Sequence, residues 1–425
     1  MAVHNRSVAT AALPGSGVGS GSGDASQWRT LPHCKRVLVV VHTEVYGSRL
    51  RELLPLLESD LRIQTHFTVA PHAFNAGVER VLRTLGNTVL PWEAALRMEF
   101  DLVLAAGSQG VHRLRGPLLR IPHGAGHIKL SRLADHRDPG APRTVGELGR
   151  QYLTRHGKVV PKALALAHRE ELATLARTCP EALPVSEVVG DACHDRLVAS
   201  LPLRGRYRTA LGLRPGQRLV LVSSTWGPGS SFNGLDALLP RLLTELDPAR
   251  HLVAILVHPN VWSGHGDWQV RSWLAVAQRR GIVVLPPDTD WRVPLIAADW
   301  VIGDHGSVTL YATLTPATLL LARFPVTDIN PDSPAAELAR TAPSLSPVHP
   351  LAEQLAYART ECPTEEYERI GRRISSEPGR FARNARKLMY RLLGLGEPAY
   401  EASLPSLPVP VGLPGAASAG EEVPA

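Results

Sequence analysis

The residues able to do chemistry gather in four short turns: 122–129 (PHGAGHIK), 223–232 (SSTWGPGSSF), 258–260 (HPN) and 303–307 (GDHGS). His123 stands between Pro122 and Gly124, so its backbone is restricted on one side while the glycine lets a ligand approach on the other. An imidazole with a near-neutral pKa can take the proton of a hydroxyl as that hydroxyl attacks. A turn histidine bonded to its neighbours would have the same local sequence. Lys129 suits a phosphate, as does many a surface lysine. His258 precedes Pro259, which keeps it extended and fixes the direction of the ring; it can donate to a diphosphate or serve the fold alone. Thr225 and Ser230 offer hydroxyls in a turn opened by Gly227 and Gly229, but no third glycine or lysine completes a dinucleotide or P-loop fingerprint. Asp304, Gly306 and Ser307 lie where a strand passes into a helix, and a hydroxyl there can cap the helix and also meet a phosphate. Asp288-Thr289-Asp290 has the spacing of some metal-dependent sugar-nucleotide enzymes. Asp290, however, is expected to cap the short helix after it, and no metal site is assigned.

These turns need strands and helices in alternation to position them. The segment 35–43 (KRVLVVVHT) is a continuous β-branched run typical of a strand covered on both faces, and a helical pattern follows it. The cycle recurs at 62–70 and 76–85, with further strands at 100–107, 118–126, 162–167 and 185–191. It restarts at 217–227, 251–260, 282–287, 300–303 and 317–322, and helices over 351–359, 364–374 and 380–393 finish the fold. Strand, short turn, helix and parallel strand make a βαβ unit, whose ligands sit outside the carboxyl ends of the strands. Two successive arrays imply an α/β fold of two doubly wound, Rossmann-like domains facing a central cleft, over 31–200 and 201–400. The stretch 131–157 reads as an irregular insertion. Residues 1–30, with the linker-like GSGVGSGSG, and 401–425, Pro/Gly/Ala-rich from about Leu404, read as disordered tails.

Composition narrows the classes. The chain has 425 residues, enough for two substantial cores. Its four cysteines are far apart with no CxxC spacing, which suggests neither a disulfide framework nor a zinc site. A cytoplasmic location is expected, since neither an export signal nor a run of about 18 apolar residues occurs. Forty-six Lys and Arg against 39 Asp and Glu give a net charge of +7, with the arginines scattered apart from clusters near Arg113 to Arg120 and Arg369 to Arg391. That suits an anionic nucleotide or an anionic membrane surface touched peripherally. Without a recognition-helix pattern or aromatic-basic interleaving, nucleic acid is not expected as a partner.

Taken together, the turns resemble the motif set of the CDP-glycerol glycerophosphotransferase family of teichoic-acid-type polymerases and primases, which has the GT-B fold. IPHG (121–124) stands for that family's WHG-type motif and GDACHD (190–195) for its GxPRxD-type turn. STWG (224–227) stands for its PTWR-type strand end, His258-Pro259 for its HP motif, and ADWVIGDHGSVTLY (298–311) for its ADxLITDYSSxxFD-type segment. The resemblance implies His123 as the base that activates the acceptor hydroxyl. It implies His258, Thr225 and Ser307 as holders of the donor diphosphate, with Asp304 shaping the turn; Gly124 and Lys129 are acceptor or phosphate candidates on the residues alone. It further implies a CDP-alcohol donor, attack on the β-phosphorus with loss of CMP, no tightly bound cofactor or metal, and a hydroxyl acceptor that could be lipid-linked. The chain departs from the pattern at Gly306 and His305, where the family has serine and tyrosine, at Gly227 in place of arginine, and at Ala192-Cys193 in place of Pro-Arg. Two alternatives stay open: a nucleotide-sugar glycosyltransferase or sugar-nucleotide 2-epimerase relative, and a catalytically degenerate GT-B binding protein.

Overall fold

The structure is a computed structural model that describes residues 30–410 except 32, 85, 87, 132–142 and 144. The glycine-serine stretch near the start and residues 132–142 and 144 of the expected insertion therefore lie outside the described residues.

Fourteen strands are present among the described residues. In the first half they are β1 Lys35–Val41, β2 Ile63–Val69, β3 Val89–Leu90, β4 Leu102–Ala105, β5 Leu118–Arg120, β6 Thr154–Arg155, β7 Lys158–Val159, β8 Ala163–Leu166 and β9 Ser186–Val188. In the second they are β10 Arg218–Ser224, β11 His251–Val257, β12 Val283–Val284, β13 Trp300–Gly303 and β14 Thr318–Leu321. One parallel sheet runs β3-β2-β1-β4-β5-β8-β9 and a second runs β12-β11-β10-β13-β14, while β6 and β7 form a small antiparallel hairpin. Burial explains the composition of the central strands: Val37–Val41 and Leu219–Val222 are covered on both faces and read as unbroken apolar runs.

Each sheet reverses its strand order once, between β1 and β4 and between β10 and β13. A buried polar side chain ties the two diverging loops together at each reversal. In the first sheet His42 holds the carbonyl of Gln109 through Nε2 at 2.8 Å. In the second, Asp304 Oδ2 accepts from the Thr225 backbone N at 2.8 Å, the Thr225 hydroxyl at 2.9 Å and Ser231 N at 2.9 Å, and Oδ1 accepts from Gly306 N at 3.0 Å.

Three expectations are corrected. The last helix, Phe381–Leu393, does not close the second domain. Its Phe381, Leu388 and Tyr390 pack into the core of the first sheet with Val39 and Leu104, and the Tyr390 hydroxyl donates to Asp60 at 2.8 Å. Nor does order end at Leu404. Leu407 is buried, its N donates to Ser200 Oγ at 2.9 Å, and its carbonyl accepts from the Tyr207 hydroxyl at 2.7 Å. One apolar side chain amid prolines thus fastens the chain where the two halves join. Third, the strand expected over 118–126 stops at Arg120, and the following turn is stitched to the second domain: Leu130 N donates to Asp328 O at 2.9 Å, and Asn330 N to Ile128 O at 2.7 Å.

Part of the pH dependence of stability follows from His42. Its ring is fully buried, and burial, with His72 and Arg120 adding to it against the Gln109 bond, pushes its pKa down to about 4. Between pH 6.5 and about 4 the unfolded chain therefore binds a proton that the folded chain does not, so this contribution is complete above pH 6.5 and lost as the pH falls. His42→Gln, which can keep a donor to Gln109, is expected to flatten the fall of the urea midpoint between pH 7 and 4.5. An unchanged slope would exclude His42 as the cause.

Candidate active site

The carboxyl ends of both sheets open onto one cleft of about 1150 Å3. Of the residues expected to act, His123, Gly124, Lys129, Thr225, His258, Gly306 and Ser307 all line it. Asp304 lies beneath its floor, 1% exposed, with its acceptor positions taken by the loops it organises. It builds the site and has no free oxygen to offer a donor.

His123 projects from the turn after β5, its ring 34% exposed. Its carbonyl accepts from Arg49 Nε at 3.1 Å, and its ring lies 4.4 Å from that of Tyr46. Nδ1 meets the carboxylate of Glu147. Burial first, then the positive groups Arg49, Arg120, His127 and Lys129, push the His123 pKa down to about 3, so the ring is neutral near pH 7. A neutral ring keeps one proton, and a carboxylate at Nδ1 draws it there. Nε2 then carries the lone pair.

His258 is the opposite case. Its extended backbone, φ −60° and ψ 138°, caps the helix Pro259–His265, and Nδ1 accepts from Asn260 N at 3.0 Å. Burial, followed by the charges of Lys129 and His123, pushes its pKa down to about 3. With Nδ1 accepting, the single proton sits on Nε2, and His258 is a donor. The cleft therefore holds two neutral histidines of opposite tautomer, one on each domain.

Ser307 does not cap its helix. The cap position is Gly306, and Ser307 Oγ instead accepts from Ala125 N at 3.2 Å, tying the domains together. A Cβ on Gly124 would stand 2.7 Å from that oxygen, so glycine there is required by this contact. Thr225 donates its hydroxyl to Asp304, and a Cβ on Gly306 would come within 2.3 Å of Thr225 Cγ2. The serine that the resemblance leads one to expect at 306 cannot fit beside this threonine without a shift. Gly306→Ser is expected to cost about 1–3 kcal/mol by overpacking, and Thr225→Ser, which removes Cγ2, to recover most of it. Additive losses in the double variant would contradict the steric account.

Asp290 was expected to cap a helix. It instead clamps Arg292, accepting from Nε at 2.8 Å, from Nη2 at 2.7 Å and from the backbone N at 3.2 Å, while Arg292 also reaches Glu52 at 2.9 Å. Trp291 takes the cap position. Among the described residues no group of three or more His, Cys, Asp and Glu could hold a metal ion.

Several site residues escape the sequence reading. Arg49 donates to the Tyr311 hydroxyl at 2.9 Å, and that hydroxyl donates to Asp191 Oδ2 at 2.7 Å, which joins the first domain to the helix after β13 directly behind His123. Asp191 lies in a motif the sequence singled out without a role. Glu147 has none of that help: it sits in the stretch read as irregular, with a left-handed φ of 71° that a non-glycine residue seldom adopts. His127 and Glu171, both buried, continue the polar network beyond it.

Two doubly wound Rossmann-like domains facing a cleft, closed by a terminal helix that returns to the first domain, define the GT-B fold. No protein-family profile and no curated protein matches the chain. Among solved structures it is similar to the wall teichoic acid polymerase TagF, at 13% identity over 85% of this chain and 88% of that one, with a TM-score of 0.57. A TagF variant soaked with CDPG gives 12% identity, the same coverage and a TM-score of 0.58. HepE of Anabaena in complex with UDP covers 85% of this chain and 100% of its own at 14% identity, with a TM-score of 0.48. The TagF likeness establishes the fold. Among the described residues no helix is long and apolar enough to cross a membrane.

Proposed function

We propose that this chain is a GT-B transferase that moves a group from a nucleotide-activated donor to a hydroxyl acceptor. The observation that carries this reading is what stands at the two ring nitrogens facing one cleft: the Glu147 carboxylate at Nδ1 of His123, which leaves Nε2 to take a proton, and the Asn260 N–H at Nδ1 of His258, which leaves Nε2 to give one. The acceptor hydroxyl gives its proton to His123 as its oxygen attacks the donor's distal phosphorus. The bond from that phosphorus to the bridging oxygen breaks, and the nucleoside monophosphate leaves with the electron pair. His258 donates to the diphosphate oxygens, where negative charge gathers. Glu147 holds the His123 ring in its working tautomer, the part a carboxylate plays wherever a histidine acts as base. The order of strand-end motifs and the fold shared with TagF favour a CDP-alcohol donor and a glycerophosphate-like group. No metal enters this scheme.

The test is phosphorus NMR of CDP-glycerol incubated with the protein and polyol or lipid-linked acceptors. Release of CMP coupled to a new phosphodiester supports the reading. Turnover of a nucleotide sugar instead would move the chain to the glycosyltransferases or epimerases, and tight nucleotide binding with no turnover on any acceptor would make it a degenerate binding protein.

A further inference from the structure

The cleft reaches farther into the first domain than the two histidines require. Val39 and Phe67, register partners on β1 and β2, share one face of the sheet with Val41. All three are buried core residues, yet they also line the cleft. So do Val78 and Leu82, which stand one turn apart on the helix Val78–Thr84 and are buried as well. A slot therefore runs from the cleft down to the sheet, between this helix and the helix Glu44–Arg51. The latter turns a polar stripe to the cleft: Glu44, Ser48 and Arg51 stand at i, i+4 and i+7, and all three line it. Small residues form the lip. Ala76 and Gly77 border the cleft there, and the φ of 84° at Gly77 disfavours any side chain.

A group on the slot's floor meets only aliphatic and aromatic carbon, so a polar group there would lose its hydrogen bonds to water without replacement. The upper wall differs. Glu44 can accept from a hydroxyl, Ser48 can donate or accept, and Arg51 and Arg80 at the rim can donate. The occupant that fits both parts is an amphiphile with a hydroxylated head and an apolar end. The floor spans two strand residues and the apolar wall one helical turn, about 6–7 Å in either direction. That holds one ring or a chain of roughly hexyl length, and a long lipid tail would have to turn back through the mouth. The helix Glu44–Arg51 also carries Tyr46, whose ring lies 4.4 Å from that of His123, so the element that walls the slot reaches the proposed base.

We propose that this slot is the acceptor subsite for a compact apolar group, a ring or short alkyl chain, carried beside the attacking hydroxyl. The inference rests on the transferase reading. The occupant belongs to the acceptor because every residue of the slot lies in the first domain with His123, whereas His258 and the loops that Asp304 organises lie in the second. Its apolar end rests on Val39, Val41 and Phe67, and its head lies along Glu44 and Ser48.

The test is a series of 1-O-alkylglycerols, from glycerol itself through the butyl, hexyl, octyl and decyl ethers, each below its micelle concentration. They are titrated by calorimetry and offered as acceptors with CDP-glycerol. Each buried methylene adds about fourfold in affinity, so Kd is expected to fall by at least roughly a hundredfold from glycerol to the hexyl ether and then to level off. The acceptor KM should follow Kd. Val81, 37% exposed, also lines the cleft, and Val81→Asp places a carboxylate at the slot's apolar wall. It should bring the ratio of glycerol to hexyl-ether Kd close to one. Ala76→Trp, which covers the lip from an exposed position, should do the same if Val81→Asp folds poorly. A Kd indifferent to chain length would overturn the slot, as would one that keeps falling through the decyl ether or a wild-type ratio in both variants. Transfer to glycerol without any dependence on chain length would overturn the slot and leave the transferase reading intact. Chain-length-dependent binding in a protein that turns over no nucleotide donor would sink that reading and leave the slot standing.

Discussion

His123→Ala is expected to lower turnover by about two to four orders of magnitude while leaving nucleotide affinity nearly unchanged. The ring stands on the first domain, on the acceptor side in the proposed scheme, and its Nε2 is the lone pair left free when Glu147 takes Nδ1. Removing it deletes the proton acceptor without touching His258 or the loops Asp304 holds. Glu147→Gln should cost less, because an amide at Nδ1 can still accept a hydrogen bond but stabilises the charged ring poorly. The kinetic signature is a fall in kcat at constant KM for donor. Equal turnover in His123→Ala and the wild-type protein would remove His123 from the chemistry. A large rise in donor Kd would place it against the nucleotide instead.

The second large effect is on stability. Asp304→Ala removes a carboxylate that satisfies three backbone N–H groups and one hydroxyl, all buried, at the reversal point of the second sheet. Leaving such donors unpaired costs about 1–3 kcal/mol each, so a total loss on the order of 3–5 kcal/mol is expected once water and relaxation recover part of it. The same change frees the loops carrying Thr225, Ser231 and Gly306 that shape the second domain's side of the cleft. Nucleotide affinity should therefore fall together with the urea midpoint. A stable Asp304→Ala protein with weakened binding would mean that Asp304 contacts the donor after all, contrary to its filled acceptor positions.

Most of this arrangement is written in local patterns. The strand at Trp300–Gly303 follows from its apolar run, and the helix Phe381–Leu393 from its periodicity. The four turns could be placed because a parallel sheet puts every strand's carboxyl end on one edge. What each residue does there depended on partners distant in sequence. Thr225 reads as a donor contact and Asp304 as the residue that shapes the turn, but that the one bonds the other is visible only in the fold. Ser307 looked like a helix cap and turned out to hold Ala125 of the other domain. Glu147 is 24 residues from His123, reached by a segment without periodicity, and nothing local marks it as the partner of a base. Leu407 was hidden by its composition: one leucine in a proline-rich tail carries no pattern, yet a single apolar slot and two hydrogen bonds fix it. The helix Pro334–Thr341, by contrast, went unread although Ser333 followed by Pro334 is a legible start, and the Ser333 hydroxyl does accept from Ala336 N.

The central claim is that the cleft binds a nucleotide-activated donor. Its most direct test is the melting temperature of the purified protein with CMP, CDP-glycerol, UDP, UDP-GlcNAc, GDP and dTDP in turn. A ligand at 100 times its Kd adds about 2.7 kcal/mol of stability, enough for a clear rise. The account predicts a rise with CDP-glycerol and CMP that exceeds those with the other nucleotides and is reduced in His258→Ala. A protein whose melting temperature responds to none of the six, at concentrations up to the millimolar range typical of weak substrates, would contradict it.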